Sequence, residues 1–128
     1  MSVPTPVDPP GLYRSPAFAQ GMIVPEGPVL FVGGQNGVDA QGELLDGLQA
    51  QTEQALRNLL AVLAAAGSGP EHVAKLTIHL APGIDPTAAY GATRTVWGDH
   101  RTAVTVLAVA PARPGALVEI DAVAAVPR

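Results

Sequence analysis

Two helical segments stand against five β-rich runs in this chain, and two helices can cover only one face of a sheet that size. The longer helical segment is the clearest element. Leu48, Ala55, Leu56, Leu59, Leu60 and Leu63 recur at helical spacing, while Gln51, Glu53, Gln54, Arg57 and Asn58 fall mostly on the opposite side. Asp46 is placed to cap it, Gln49 to close a capping box, and Gly67 to stop it in the left-handed conformation. Asp85 caps the second segment, with Pro86 in its first turn and Ala89, Tyr90, Thr93, Val96 and Trp97 on its packing face. The β-runs are Gly21 to Val24, Val29 to Val32 (ended by Gly33-Gly34), Val73 to Leu80, Thr102 to Val109, and Leu117 to Val126. Residues up to Pro16 are proline-rich and read as an extended arm. The order β-β-α-β-α-β-β predicts a single α+β domain over residues 1–128, a mixed sheet with two helices on one face. The other face is too apolar along the last two strands to meet water, so the bare faces are expected to pack together in a homo-oligomer.

Composition agrees. Hydrophobic residues make up 48% and charged residues 14%, enough for a sizeable core and low in charge for so small a monomer. The net charge is −4 and the seven Lys and Arg residues are scattered, which excludes the basic footprint of a nucleic-acid binder. The absence of cysteine excludes disulfide and thiol chemistry. Met1 to Pro6 lacks the pattern of a signal peptide, and no apolar run is long enough to span a bilayer, so a cytoplasmic protein without a membrane partner is expected.

The last β-run carries carboxylates inside an apolar stretch. Val118, Ile120, Ala122 and Ala124 share one face; Glu119, Asp121 and Val123 share the other. A buried carboxylate without a partner costs several kcal/mol, so an acid here marks either a functional site, an interface or a solvated face. Arg101, just before the fourth run, is either a bidentate fork for a substrate carboxylate or a surface arginine at a loop end. Gly33-Gly34-Gln35-Asn36-Gly37 opens no helix and lacks a Walker lysine. It suits close approach of a ligand to the backbone or an ordinary turn. His72, His79 and His100 have no paired metal-ligand spacing, and His79 suits a structural or interface role. No serine lies in a nucleophile elbow.

Together these segments resemble the RidA (YjgF) family, whose best-known members are enamine/imine deaminases. The resemblance runs from about Ser15 to Val126. It is carried by Ser15-Pro16-Ala17-Phe18-Ala19-Gln20-Gly21, Val32-Gly33-Gly34-Gln35, Gln51-Thr52-Glu53-Gln54-Ala55-Leu56-Arg57-Asn58-Leu59, Val73-Ala74-Lys75-Leu76-Thr77 and Val118-Glu119-Ile120-Asp121-Ala122-Val123-Ala124. It implies a chorismate-mutase-like fold, a homotrimer with clefts between subunits, and hydrolysis of 2-imino acids to 2-keto acids and ammonia without a cofactor. Arg101 would hold the carboxylate of the small-molecule substrate and Glu119 would activate water in the same cleft. Phe18, Gly34, Tyr90 and Ala103 would line it, and Asp121 would be an interface or supporting group. The sequence departs from the family where Phe18 replaces a tyrosine, Tyr90 takes a common asparagine position, and the segment before Arg101 is short. The turn from Ala110 to Gly115 is longer than usual and carries Arg113, which is either a second anion contact or solvated. Relatives that lack the arginine are not expected to deaminate in the usual way.

Overall fold

A computed structural model describes residues 3–128. In chain order the elements are β1 (Thr5–Val7), β2 (Phe18–Ala19), β3 (Gly21–Ile23), β4 (Val29–Asn36), α1 (Leu48–Ala65), β5 (Val73–Leu80), α2 (Pro86–Trp97), β6 (Thr102–Ala108) and β7 (Val118–Ala125), with a 3-10 turn at Pro70–His72. Five strands make one mixed sheet in the order β2-β6-β5-β7-β4. β5 runs parallel to β6, while β4 and β5 are both antiparallel to β7. β4, β5 and β6 therefore share a direction. Strands that share a direction need a long crossover between them, and α1 (β4 to β5, which flank β7) and α2 (β5 to its neighbour β6) lie on the two crossovers.

Strict alternation along β7 sets the layers. Val118, Ile120, Ala122 and Ala124 are buried and join Leu56, Leu59 and Leu63 of α1 in the core, as the spacing of both segments predicts. Full burial of each such leucine is worth about 1.5–3 kcal/mol. The opposite face has no helix. Register places three rows across it: Phe31, Val123, Lys75 and Ala103; then Asp121, Thr77 and Thr105; then Asn36, Glu119, His79 and Leu107. Phe31 is 76% exposed and Leu107 44%, so this face is uncovered within one chain.

Several local expectations change. The arm is not simply extended: Thr5–Val7 pairs antiparallel with Gly21–Ile23 in a separate two-stranded sheet. The run from Gly21 therefore stays out of the main sheet. Phe18–Ala19 takes the sheet's edge instead, parallel to β6. Gly33-Gly34 does not end β4; a bulge between Val32 and Gln35 absorbs the pair and the strand continues to Asn36. Helix α1 begins on Gly47 at φ 91° with no side-chain cap, so Asp46 does not cap it, and Gln49 instead donates to Glu53. Gln51, grouped by spacing with the polar side of α1, is buried. Two other signals hold. Asp85 accepts from the Thr87 N–H. Gly67 at φ 76° turns the chain so that the Ser68 N–H reaches the Leu63 carbonyl.

Candidate functional site

Glu119 lies half-buried near one end of the bare face. Its Oε1 accepts from Asn36 Nδ2 at 3.3 Å, and the same amide reaches the Val118 carbonyl at 3.4 Å. Gly34 sits against this carboxylate: a Cβ there would run into Glu119 Oε2 and Cδ. The glycine thus leaves the carboxylate room to lie against exposed backbone. On the adjoining strand, His79 Nδ1 lies 3.1 Å from the Glu119 carbonyl oxygen, a structural contact within the sheet. Asp121 is two residues along in the row with Thr77 and Thr105. Nearby, Lys75 Nζ donates to Thr105 Oγ1 at 2.6 Å.

Arg101 lies at the other end, and its fork grips a carboxylate. Nη1 donates to Asp8 Oδ2 at 3.1 Å and Nη2 to Asp8 Oδ1 at 3.2 Å, a bidentate pair. Nη2 also donates to the Ser15 and Phe18 carbonyls, at 3.0 and 2.9 Å. The Asp8 side chain is 7% exposed and that of Arg101 21%. Asp8 further accepts from the Gln20 N–H and from Arg14. The Arg101 guanidinium, seconded by the Gln20 amide, holds the Asp8 carboxyl below the ordinary aspartate range. Ser15 Oγ accepts from the Ala17 and Phe18 N–H groups and so shapes the loop that presents the two carbonyls.

Register separates the two ends. Lys75 pairs with Ala103 on one side and Val123 on the other, which places Arg101 two residues beyond that rung; Glu119 is opposite His79, four residues the other way. At about 3.3 Å per residue, Arg101 and Glu119 of one chain are roughly 20 Å apart along the strands. Within a single chain they do not face each other. Gly34 lies with Glu119, and Ala103 lies on the bare face on the Arg101 side of the sheet. Phe18 pairs with Thr102 and its ring meets Tyr90 of α2 edge-on, with centroids 5.7 Å apart. Both rings are on the helix side of the sheet, over an apolar cavity. Arg113 donates to the Gly42 carbonyl, a contact between the turn that follows β4 and the turn that leads into β7.

Sequence reasoning missed Asp8 and Asn36. Asn36 sits in the Gly-Gly-Gln-Asn run already singled out, and extending β4 through the glycines would have placed it opposite Glu119. Asp8 carried no signal beyond its place in a proline-rich arm. Among the described residues, no group of three or more His, Asp or Glu side chains is placed to hold a metal, and no helix is long and apolar enough to cross a membrane.

The family described as endoribonuclease L-PSP matches residues 13–126. The chain belongs to this family, the RidA (YjgF) family. A Rid-family protein of Yersinia pestis, YyfB, is similar over 98% of this chain and 100% of its own, with 30% identity and a TM-score of 0.86. A Thermotoga maritima protein titled a putative endoribonuclease is 30% identical over 100% of this chain and 98% of its own, with a TM-score of 0.72. RidA from an Antarctic Psychrobacter is 25% identical over 98% and 99%, with a TM-score of 0.72. No curated protein matches the sequence. The α+β fold of this RidA-family chain is thus shared over its whole length with solved relatives.

Proposed function

We propose that this protein hydrolyses reactive 2-imino acids, or their enamine tautomers, to 2-keto acids and ammonia in clefts of a homotrimer. The observation that carries the reading is the bidentate grip of Arg101 on a carboxylate. The Asp8 carboxylate stands in the fork where a substrate carboxylate would bind. Since Glu119 is roughly 20 Å away in the same chain, the complete site takes Arg101 from one subunit and Glu119 from its neighbour. The bare sheet face, with Phe31 and Leu107 exposed, supplies the surface on which copies would meet.

The chemistry asks little of the protein, because the imine carbon is already electrophilic. Arg101 holds the carboxylate so that C2 faces a water hydrogen-bonded to Glu119. With the imine nitrogen protonated, Glu119 takes a proton from the water as its oxygen bonds to C2, giving a neutral carbinolamine. It returns that proton to the nitrogen and then takes the hydroxyl proton as the C=O bond forms, the C–N bond breaks and ammonia leaves. Positioning and proton transfer account for the catalysis. Asn36 and Gly34 orient the carboxylate, and Ala103 leaves space beside the bound substrate.

A second reading draws on the same contact. Asp8 and two backbone carbonyls engage the guanidinium, so Arg101 also fits a structural anchor in a non-catalytic member that binds a small carboxylate elsewhere in the cleft. RNA cleavage, named in the family's description, has no support from a net charge of −4 and scattered basic residues. The deciding assay generates 2-aminoacrylate from serine in situ and follows its loss. Wild type should accelerate the loss and Arg101→Ala should abolish the acceleration. An inactive wild type, or an Arg101→Ala variant as active as wild type, would defeat the deaminase reading.

A further inference from the structure

On the helix side of the sheet lies a cavity of about 670 Å³ that adjoins the Arg101 fork, since Ser15 and Phe18, whose carbonyls hold the guanidinium, also line it. Its origin is legible in the sequence of α2. Where α1 buries Leu56, Leu59 and Leu63, α2 buries only Ala89, Ala92 and Trp97. Two alanines cannot fill the space under a helix, so a gap opens between α2 and the sheet. Val106 confirms it: it shares the helix-side face with Val104, yet is 47% exposed.

The walls define the occupant. They are mainly aliphatic and aromatic, with Leu56, Ile78, Val104, Phe18, Tyr90 and Trp97 among them. The volume lies in the range of pockets that enclose a small organic ligand. Charge at the rim is neutralised, because Arg94 Nη2 is paired with Asp99 Oδ1 at 2.7 Å. Deep inside, Thr52 is fully buried and lines the cavity, and its Oγ1 has no hydrogen-bond partner. A buried hydroxyl without a partner is costly, and a ligand that meets it removes that cost. Water suits these apolar walls poorly, since an ordered water needs two or more polar partners.

We propose that this cavity is a second binding site, on the opposite face of the sheet from Glu119 and beside the Arg101 fork rather than in it, for an uncharged and largely apolar small molecule with one hydrogen-bonding group directed at Thr52. The proposal stands whether or not the protein deaminates imines. Trp97 is the chain's single tryptophan and lines the cavity, so it reports occupancy directly.

The test titrates purified protein with N-phenyl-1-naphthylamine, an uncharged apolar probe, and follows Trp97 emission. Saturable quenching with one probe per chain is expected. Ala89→Leu and Val106→Phe fill the space from opposite walls and should each weaken binding about tenfold or more. Circular dichroism verifies that each variant is folded, and having two keeps the test decisive if one is not. 1-Naphthol should bind a few-fold more tightly than naphthalene, and Thr52→Val should erase that difference. 2-Oxobutanoate, a small keto acid, should leave the probe in place. The proposal is overturned if quenching does not saturate, if the folded filled variants bind like wild type, if Thr52→Val leaves the naphthol preference intact, or if the keto acid displaces the probe.

Discussion

Gly34 and Gly37 differ in what a side chain at each would strike. At Gly34 a Cβ meets the end of the Glu119 side chain, which can swing away. Gly34→Ala should therefore fold normally and lose activity by about tenfold or more, through a displaced carboxylate. At Gly37 a Cβ meets the backbone of Gln51 in α1, which cannot move without the helix. Gly37→Ala should lower stability by about 1–3 kcal/mol, read by urea unfolding. Equal stability loss in both variants would contradict this division. Asp8 offers a pH test. Its carboxyl is held below 3.8, chiefly by the hydrogen bonds from Arg101. A lowered folded value means the contact contributes fully above the unfolded aspartate value and fades as pH falls through the folded value. The Gln20 amide, which donates to Asp8, should titrate by NMR with a midpoint below 3.8, and Arg101→Ala should raise that midpoint. A wild-type midpoint at or above 3.8 would refute the pairing.

At the scale of elements, α1 joins the fold together through polar side chains as well as leucines. Gln51 donates to the Leu45 and Gly115 carbonyls and accepts from the Leu117 N–H. It fastens both the loop before α1 and the loop before β7. Asn58 donates to the Asn36 and Val38 carbonyls at the end of β4. Gln51→Ala strands those buried groups and should cost about 1–3 kcal/mol, with a matching drop in urea midpoint; an unchanged midpoint would show the loops hold without it. These contacts explain which elements were legible in the sequence. Leucine spacing placed α1 and the alternation placed β5 and β7, because both follow from burial on one face. Helical periodicity puts Gln51 opposite the leucines because it ranks residues by polarity, and a glutamine bonded to distant loops looks the same as a solvated one. The start of α1 is hidden from the sequence for a related reason. Asp46 has capping chemistry, but Gly47 at φ 91° makes the turn that no other residue adopts easily.

The candidate site shows the same limit at the scale of the whole molecule. Glu119 stood out because a carboxylate in an apolar strand breaks the local pattern. Arg101 gained weight only from the family resemblance, and its Asp8 partner, 93 residues away in sequence, left no local trace. The distance between the two ends follows from strand register, which the order of elements does not give. That distance makes assembly a requirement of the proposed chemistry: sedimentation equilibrium at micromolar concentration should give a trimer, and a monomer would leave no cleft holding both groups. Subunit mixing tests the central claim most directly. Arg101→Ala and Glu119→Gln should each be inactive in the 2-aminoacrylate assay. In trimers reassembled from an equal mixture, an interface that takes Arg101 from the Glu119→Gln subunit and Glu119 from the Arg101→Ala subunit is intact, and random mixing makes about a quarter of head-to-tail interfaces of this kind. Recovery of roughly that share of wild-type activity is the predicted result. Reassembled mixed trimers with no recovered activity would contradict a site shared between Arg101 of one subunit and Glu119 of the next.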